Sequence, residues 1–210
     1  MEGNKIRPVL LRDITTEEEA RIDLKDDELN RVLGGGLVKG SLVLIGGEPG
    51  IGKSTLVLQT VLGLTGLKTL YVSGEESSRQ LKLRADRLSH DNPNCFILCE
   101  THLEQIFTQA ANIQPDLMII DSIQTIFTEV VESSPGSVSQ VRECSAAILK
   151  YAKESGVPVL LSAISIRKAV SPVRRYWSIS WIRCCSLRAI SIICIVSCGA
   201  SRTVLAVRRN

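Results

Sequence analysis

Gly47-Glu48-Pro49-Gly50-Ile51-Gly52-Lys53-Ser54 is the stretch whose reading decides the fold. It fits G-x-x-x-x-G-K-[ST] at every position. Ser41 to Ile45 (SLVLI) precedes it, a continuous apolar run bounded by glycines, as expected of a strand buried on both faces. A helix is predicted to follow over roughly Lys53 to Leu62. Strand, glycine-rich turn and helix in this order form a phosphate cradle. The glycines let successive backbone N–H groups face inward around an anion, and the helix adds the positive end of its dipole at the same point. Lys53 is then expected to reach the β- and γ-phosphates, and the Ser54 hydroxyl to ligate Mg²⁺. Thr55 is grouped with residues 47–54 as a nucleotide contact. No Asn-Lys-x-Asp guanine-reading motif occurs, so ATP is expected rather than GTP.

Outward from this loop the pattern alternates. Strands are predicted at Thr69–Val72, Cys95–Leu98, Leu117–Ile120 and Val157–Leu161, and helices at Arg79–Leu88, Leu103–Ile113 and Val138–Glu154. Such alternation predicts an α/β fold with a mainly parallel sheet flanked by helices on both faces. Before the loop, Asp26 to Leu33 predicts a short amphipathic helix stopped by Gly34-Gly35-Gly36. Thr16 with Glu19 predicts a capping box at an earlier helix start.

Parallel strands point their C-terminal ends at one edge, where ligands of such sheets sit. Asp121 ends the Leu117–Ile120 run, 67 residues after Ser54, as a candidate second Mg²⁺ contact; an ordinary strand-end turn is the alternative. Glu75 and Glu76 follow the Thr69–Val72 run and project over the same edge. One of them is the candidate base that polarises an attacking water, unless both merely decorate a helix N-terminus. His90 and His102 read as surface histidines. Glu129 to Arg142 (EVVESSPGSVSQVR) reads as a solvated connection or as a loop facing nucleic acid.

The chain has 210 residues and a formal net charge of +3, which hides an asymmetry. Up to Leu161, 16 Lys and Arg face 22 Asp and Glu, a net of −6; from Ser162 on, 9 Lys and Arg face none, a net of +9. The N-terminus lacks the apolar stretch of a secretory signal, and the longest apolar run near the C-terminus, Ile190 to Val196, is too short to span a bilayer. A cytoplasmic setting with reduced thiols and no membrane is the expectation. Cys184, Cys185, Cys194 and Cys198 match no paired C-x-x-C spacing, so no zinc site is expected.

LGGGLVKGSLVLIGGEPGIGKSTL, YVSGEES, IIDSIQT and SSPGSVSQVRE, in that order, resemble the bacterial RadA/Sms DNA-repair ATPases of the RecA superfamily. The resemblance covers roughly Asp13 to Leu161. It implies a RecA-like core and gives Glu75, rather than Glu76, the place of the catalytic glutamate. It further implies ATP-driven work on recombination intermediates, with single-stranded or branched DNA and a RecA-type recombinase as partners. A ring-shaped homo-oligomer, with the loop after Asp121 facing DNA, is implied as well. On this reading residues 1–40 are an N-terminal extension without the family's four-cysteine zinc finger. Residues 41–161 are the ATPase core, and the Lon-protease-like domain is missing. A RecA-like signalling ATPase of circadian-clock type, with protein partners, is the alternative, as is an inactive pseudogene product.

Residues 162–210 stand apart. They hold both tryptophans, four of the seven cysteines and no acid. One missing nucleotide near the codon of Leu161 accounts for this. One choice of codons for Ser162 to Trp177, re-read with a single nucleotide added, gives Ile-Gly-His-Ile-Asn-Lys-Glu-Gly, similar to the family's continuation. From Gly199 the same shifted frame permits the family's Lys-Asn-Arg-Phe-Gly. The expectation is a frameshifted, poorly ordered basic tail, a RecA-like sheet incomplete at the C-terminus, and a chain that binds ATP better than it turns it over.

Overall fold

The structure is a computed structural model; it describes residues 10, 20–88 and 91–163 in full and 164, 185–187, 190–198 and 201–205 as backbone strand. The Thr16–Glu19 capping box, His90 and the four tail cysteines' side chains lie outside the described residues.

The first elements pack their apolar residues into one layer of the core. β1 (Arg21–Ile22) pairs antiparallel with β2 (Leu37–Val38) around α1 (Asp27–Val32). Asp26 caps α1 by accepting from the amides of Glu28 and Leu29, at 3.0 and 2.8 Å, which satisfies donors the first helical turn leaves orphaned. Leu29, Val32 and Leu33 turn inward, as their spacing predicts. The β1–β2 pair has no sequence signature, being two residues a side.

The main sheet follows from β3 (Leu42–Gly47), β4 (Thr69–Ser73), β5 (Cys95–Cys99), β6 (Leu117–Asp121) and β7 (Val159–Ile164). These five run parallel in the order β5-β4-β6-β7-β3. The connecting helices are α2 (Lys53–Gly63), α3 (Ser78–Arg87), α4 (Leu103–Ile113) and α5 (Val138–Ser155). Alternate residues of each strand serve opposite layers. Val43, Ile45, Tyr71, Leu117 and Ile119 pack with Val57, Leu58, Val61 and Leu81 of α2 and α3. Leu42, Leu44, Leu70, Val72, Met118 and Ile120 pack with Leu103, Ile106, Val141, Cys144 and Ile148 of α4 and α5. Because both faces of β3, β6 and β7 are covered, these strands are apolar at nearly every position and read as unbroken runs. Ile119 and Ile120 are both fully buried, each contributing about 1.5–3 kcal/mol of transfer free energy.

Beyond β3 the sheet continues antiparallel. β9 (Ile190–Cys198) pairs with β3, β10 (Ser201–Leu205) pairs with β9, and β8 (Cys185–Leu187) pairs with β9 as well. Three segments of the stretch expected to be poorly ordered are thus strands in backbone. The ladder to β9 gives β3 a hydrogen-bonding neighbour on each side, so the strand leading into the phosphate loop is not an edge. The opposite edge is β5, where Phe96 and Ile97 are exposed. Among the described residues, no helix is long and apolar enough to cross a membrane.

Candidate functional site

Parallel register carries β3, β4 and β6 to one edge: Ser73 stands opposite Asp121, and Gly47 opposite Ile164. The 47–54 loop joins β3 to α2 at that edge. Gly52 is the N-cap of α2 with φ +98°, and Gly50 has φ +75°, conformations that side chains with a Cβ rarely adopt. A Cβ at either position would meet no atom within 4 Å, so the glycines border open space. Among the described residues no side chain caps α2, and its first turn carries no acid. The leading amides of an 11-residue helix are therefore left for an anion from outside the chain.

Lys53 lies at the mouth of this cradle, only 7% exposed. Its ammonium donates to the carbonyls of Gly47 at 2.9 Å and Glu48 at 2.8 Å. Burial lowers its pKa, and the charges of Asp121, Glu75 and Glu48 act against that shift. The cation thus feels three carboxylates and is held by two backbone oxygens that a phosphate can outbid. Ser54 is half-buried in the first turn of α2, and Thr55 beside it is exposed. The donor set suits a nucleotide polyphosphate with Mg²⁺: inward amides, one buried ammonium, a hydroxyl and a strand-end carboxylate.

Asp121 is half-buried and accepts from the Tyr71 hydroxyl at 2.7 Å. Tyr71 itself is fully buried, and burial together with the neighbouring Asp121 raises its pKa far above the usual phenol range. The two glutamates after β4 part company. Glu76 forms an ion pair with Arg84, and its amide donates to Ser73 Oγ at 3.0 Å. Glu75 is exposed, and its Oε1 accepts from Ser122 Oγ at 2.7 Å. Among the described residues a guanidinium meets one carboxylate and a hydroxyl the other. Glu76 is thus already engaged by a cation, and Glu75 is the more exposed of the two.

His102 is not a free surface residue. It precedes α4, its side chain is 20% exposed, and its ring meets Phe127 edge-on at 5.2 Å. Its Nε2 lies 3.1 Å from Glu129 Oε1 and its Nδ1 3.5 Å from Glu104 Oε2. The segment after Asp121 is also more than a solvated connection. Gln140, 2% exposed, donates its amide to the carbonyls of Thr128, Val131 and Ser133 at 3.0, 2.9 and 3.1 Å, and accepts from Thr128 N at 3.0 Å. One side chain thereby folds the loop onto the start of α5. Tyr71, Ser122 and Gln140 carry no sequence signal of these roles, because each partner lies far along the chain or on the backbone.

Comparison with known proteins agrees with this geometry. A family model described as "AAA domain" matches residues 7–163. The DNA repair protein RadA of Bacillus subtilis (strain 168) is 52% identical over 157 residues, covering 74% of this chain and 34% of that protein. RadA of Pseudomonas aeruginosa is 51% identical over 160 residues, 76% of this chain and 35% of that one. RadA of Streptococcus pneumoniae is 47% identical over 160 residues, with shares of 76% and 38%. The chain therefore spans about a third of the length of these curated relatives. Among solved structures, a KaiC-like protein of Pyrococcus horikoshii OT3 superposes with TM-score 0.56 at 20% identity, over 69% of this chain and 70% of that one, a likeness of fold alone. With the model spanning residues 7–163, the chain belongs to the AAA-domain family, and about three quarters of it is RadA-like at close to one-half identity.

Proposed function

We propose that this chain is the ATPase core of a DNA-repair protein of RadA type. The observation that carries it is the meeting of Lys53, Asp121 and Glu75 at one sheet edge, on the open end of α2. Residues 47–55 hold the nucleotide, and Lys53 leaves the Gly47 and Glu48 carbonyls for its phosphates. Ser54 and Asp121 are the residues that would hold Mg²⁺, which would supply positive charge against the phosphates. Glu75 accepts the proton of the attacking water or fixes its orientation. The work driven by this turnover is on recombination intermediates, with single-stranded or branched DNA contacted by the loop of residues 129–142. A ring of identical subunits, a RecA-type recombinase as partner and a cytoplasmic setting belong to the same reading. Its support is the identity, over about three quarters of the chain, to proteins named DNA repair protein RadA.

The test is fluorescence anisotropy of a labelled single-stranded oligonucleotide. ATP with Mg²⁺ is expected to tighten its binding to the chain, and K53A to abolish that response. No nucleotide-dependent binding of DNA would count against the repair reading and in favour of protein partners. The origin of residues 162–210 is tested separately by resequencing the coding DNA across the Leu161 codon. A neighbouring frame that continues through Lys-Asn-Arg-Phe-Gly supports the frameshift; a frame open only as given overturns it.

A further inference from the structure

The geometry points to Ser122 as the positioning residue for Glu75, a role that rests on Glu75 being the base. Glu75 sits exposed on a turn, and a free glutamate there would spread over many rotamers. Among the described residues the Ser122 hydroxyl restrains it, at 2.7 Å. Ser122 is a strong anchor because it is itself immobilised. It is 2% exposed, and its carbonyl accepts from Thr125 Oγ1 at 2.7 Å and from Thr125 N at 3.2 Å. The neighbouring turn is tied to the same place: Gly74 N donates to the Asp121 carbonyl at 3.0 Å, and Gly74 packs against the Thr125 side chain so closely that a Cβ has no room.

Backbone, hydroxyl and packing contacts thus join residues 74–75 to residues 121–125 at three points. The consequence is chemical. Asp121 and Glu75 leave different strands, 46 residues apart, yet Ser122 directly follows one and hydrogen-bonds the other. The latch therefore sets the distance between the carboxylate proposed to hold the metal and the carboxylate proposed to act on water. Ser122 touches no reacting atom; it acts through Glu75. A misplacement of about 1 Å in such a group can cost up to about a hundredfold in rate.

The experiment compares the full chain with S122A, E75A and the double variant, by steady-state ATP hydrolysis and by ¹³C NMR of the Glu75 carboxyl carbon, identified by its absence in E75A. S122A is expected to lower kcat about tenfold with KM for ATP unchanged, to add no loss on the E75A background, and to shift the Glu75 resonance. An unchanged or raised kcat in S122A, an equal loss in both backgrounds, or an unmoved Glu75 resonance would overturn the proposal. If E75A hydrolyses ATP as fast as the unmodified chain, or no form turns over, the reading of Glu75 as base fails by itself. The resonance still decides whether Ser122 holds its carboxylate.

Discussion

Tyr71 and Asp121, in neighbouring strands, are joined by a 2.7 Å hydrogen bond from a fully buried phenol to a half-buried carboxylate. The bond orients the carboxylate at the sheet edge by means of a residue whose ring is packed in the core layer on the same face of the sheet. Removing the hydroxyl in Y71F keeps the ring and deletes the donor. The expected loss is about 1.5–3 kcal/mol, the range for a hydrogen bond to a charged group, read as a lower urea midpoint at unchanged slope. The same variant should need more Mg²⁺ for half-maximal nucleotide binding. A wild-type midpoint and Mg²⁺ requirement together would show that Asp121 is held by its backbone alone.

Gly74 has no room for a side chain. A Cβ there would overlap the Thr125 side chain, with the Thr101 methyl also within reach at 3.2 Å. G74A should destabilise the chain by about 1–3 kcal/mol, as overpacking does. Adding T125A should recover part of it by clearing the overlap. Denaturant unfolding of the single and double variants measures this; equal stability of G74A and the unmodified chain would mean that the turn moves aside freely.

Gln140 satisfies three carbonyls and one amide of the loop that follows the site. In Q140A those buried groups lose their partners, at about 1–3 kcal/mol for each that water cannot reach. The expected result is faster amide hydrogen exchange over residues 128–137 with little change in β4 and β6. If DNA lies on this loop, Q140A should also weaken oligonucleotide binding while sparing ATP binding. Exchange unchanged in the loop would remove Gln140 from this role.

The sequence disclosed the elements whose physics is local. A glycine-rich turn between an apolar run and a helix is legible because phosphate binding demands those residue types at that spacing. The five parallel strands are legible because burial on two faces leaves Ser41–Ile45 and Leu117–Ile120 without polar interruption. The β1–β2 pair was not legible, since two residues a side carry no period. His102 reads as polar and therefore exposed, yet Phe127, 25 positions on, covers its ring. The grip of Gln140 and the Ser122–Glu75 bond depend on turns brought together by the sheet, and no spacing rule reaches across 47 residues. The apolar run Ile190–Val196, too short for a membrane span, lies in backbone as a strand beside β3.

The described cysteines should differ in reactivity. Cys144 is fully buried, and burial, with Glu104 and Glu143 nearby, pushes its thiol up to about 12. Cys99 is exposed. At pH 8, iodoacetamide followed by peptide mapping should modify Cys99 early and Cys144 only on unfolding. The raised thiol also has a linkage sign. Its stabilising contribution is complete below the unfolded value near 9 and is lost as pH rises from there towards 12. C144A should therefore lack part of the alkaline decline in stability. Early labelling of Cys144 in the folded chain would contradict its burial.

The central claim is that Lys53 and the loop before it hold the phosphates of ATP, and the most direct measurement is titration calorimetry of ATP with Mg²⁺ into the full chain and into K53A. The account predicts saturable one-site binding by the unmodified chain, dependent on Mg²⁺ and weakened at least about tenfold in K53A, since a buried charge-assisted contact contributes about 1.5–3 kcal/mol. Equal affinity of the two proteins, or no binding by the unmodified chain while its fold is intact, would contradict it.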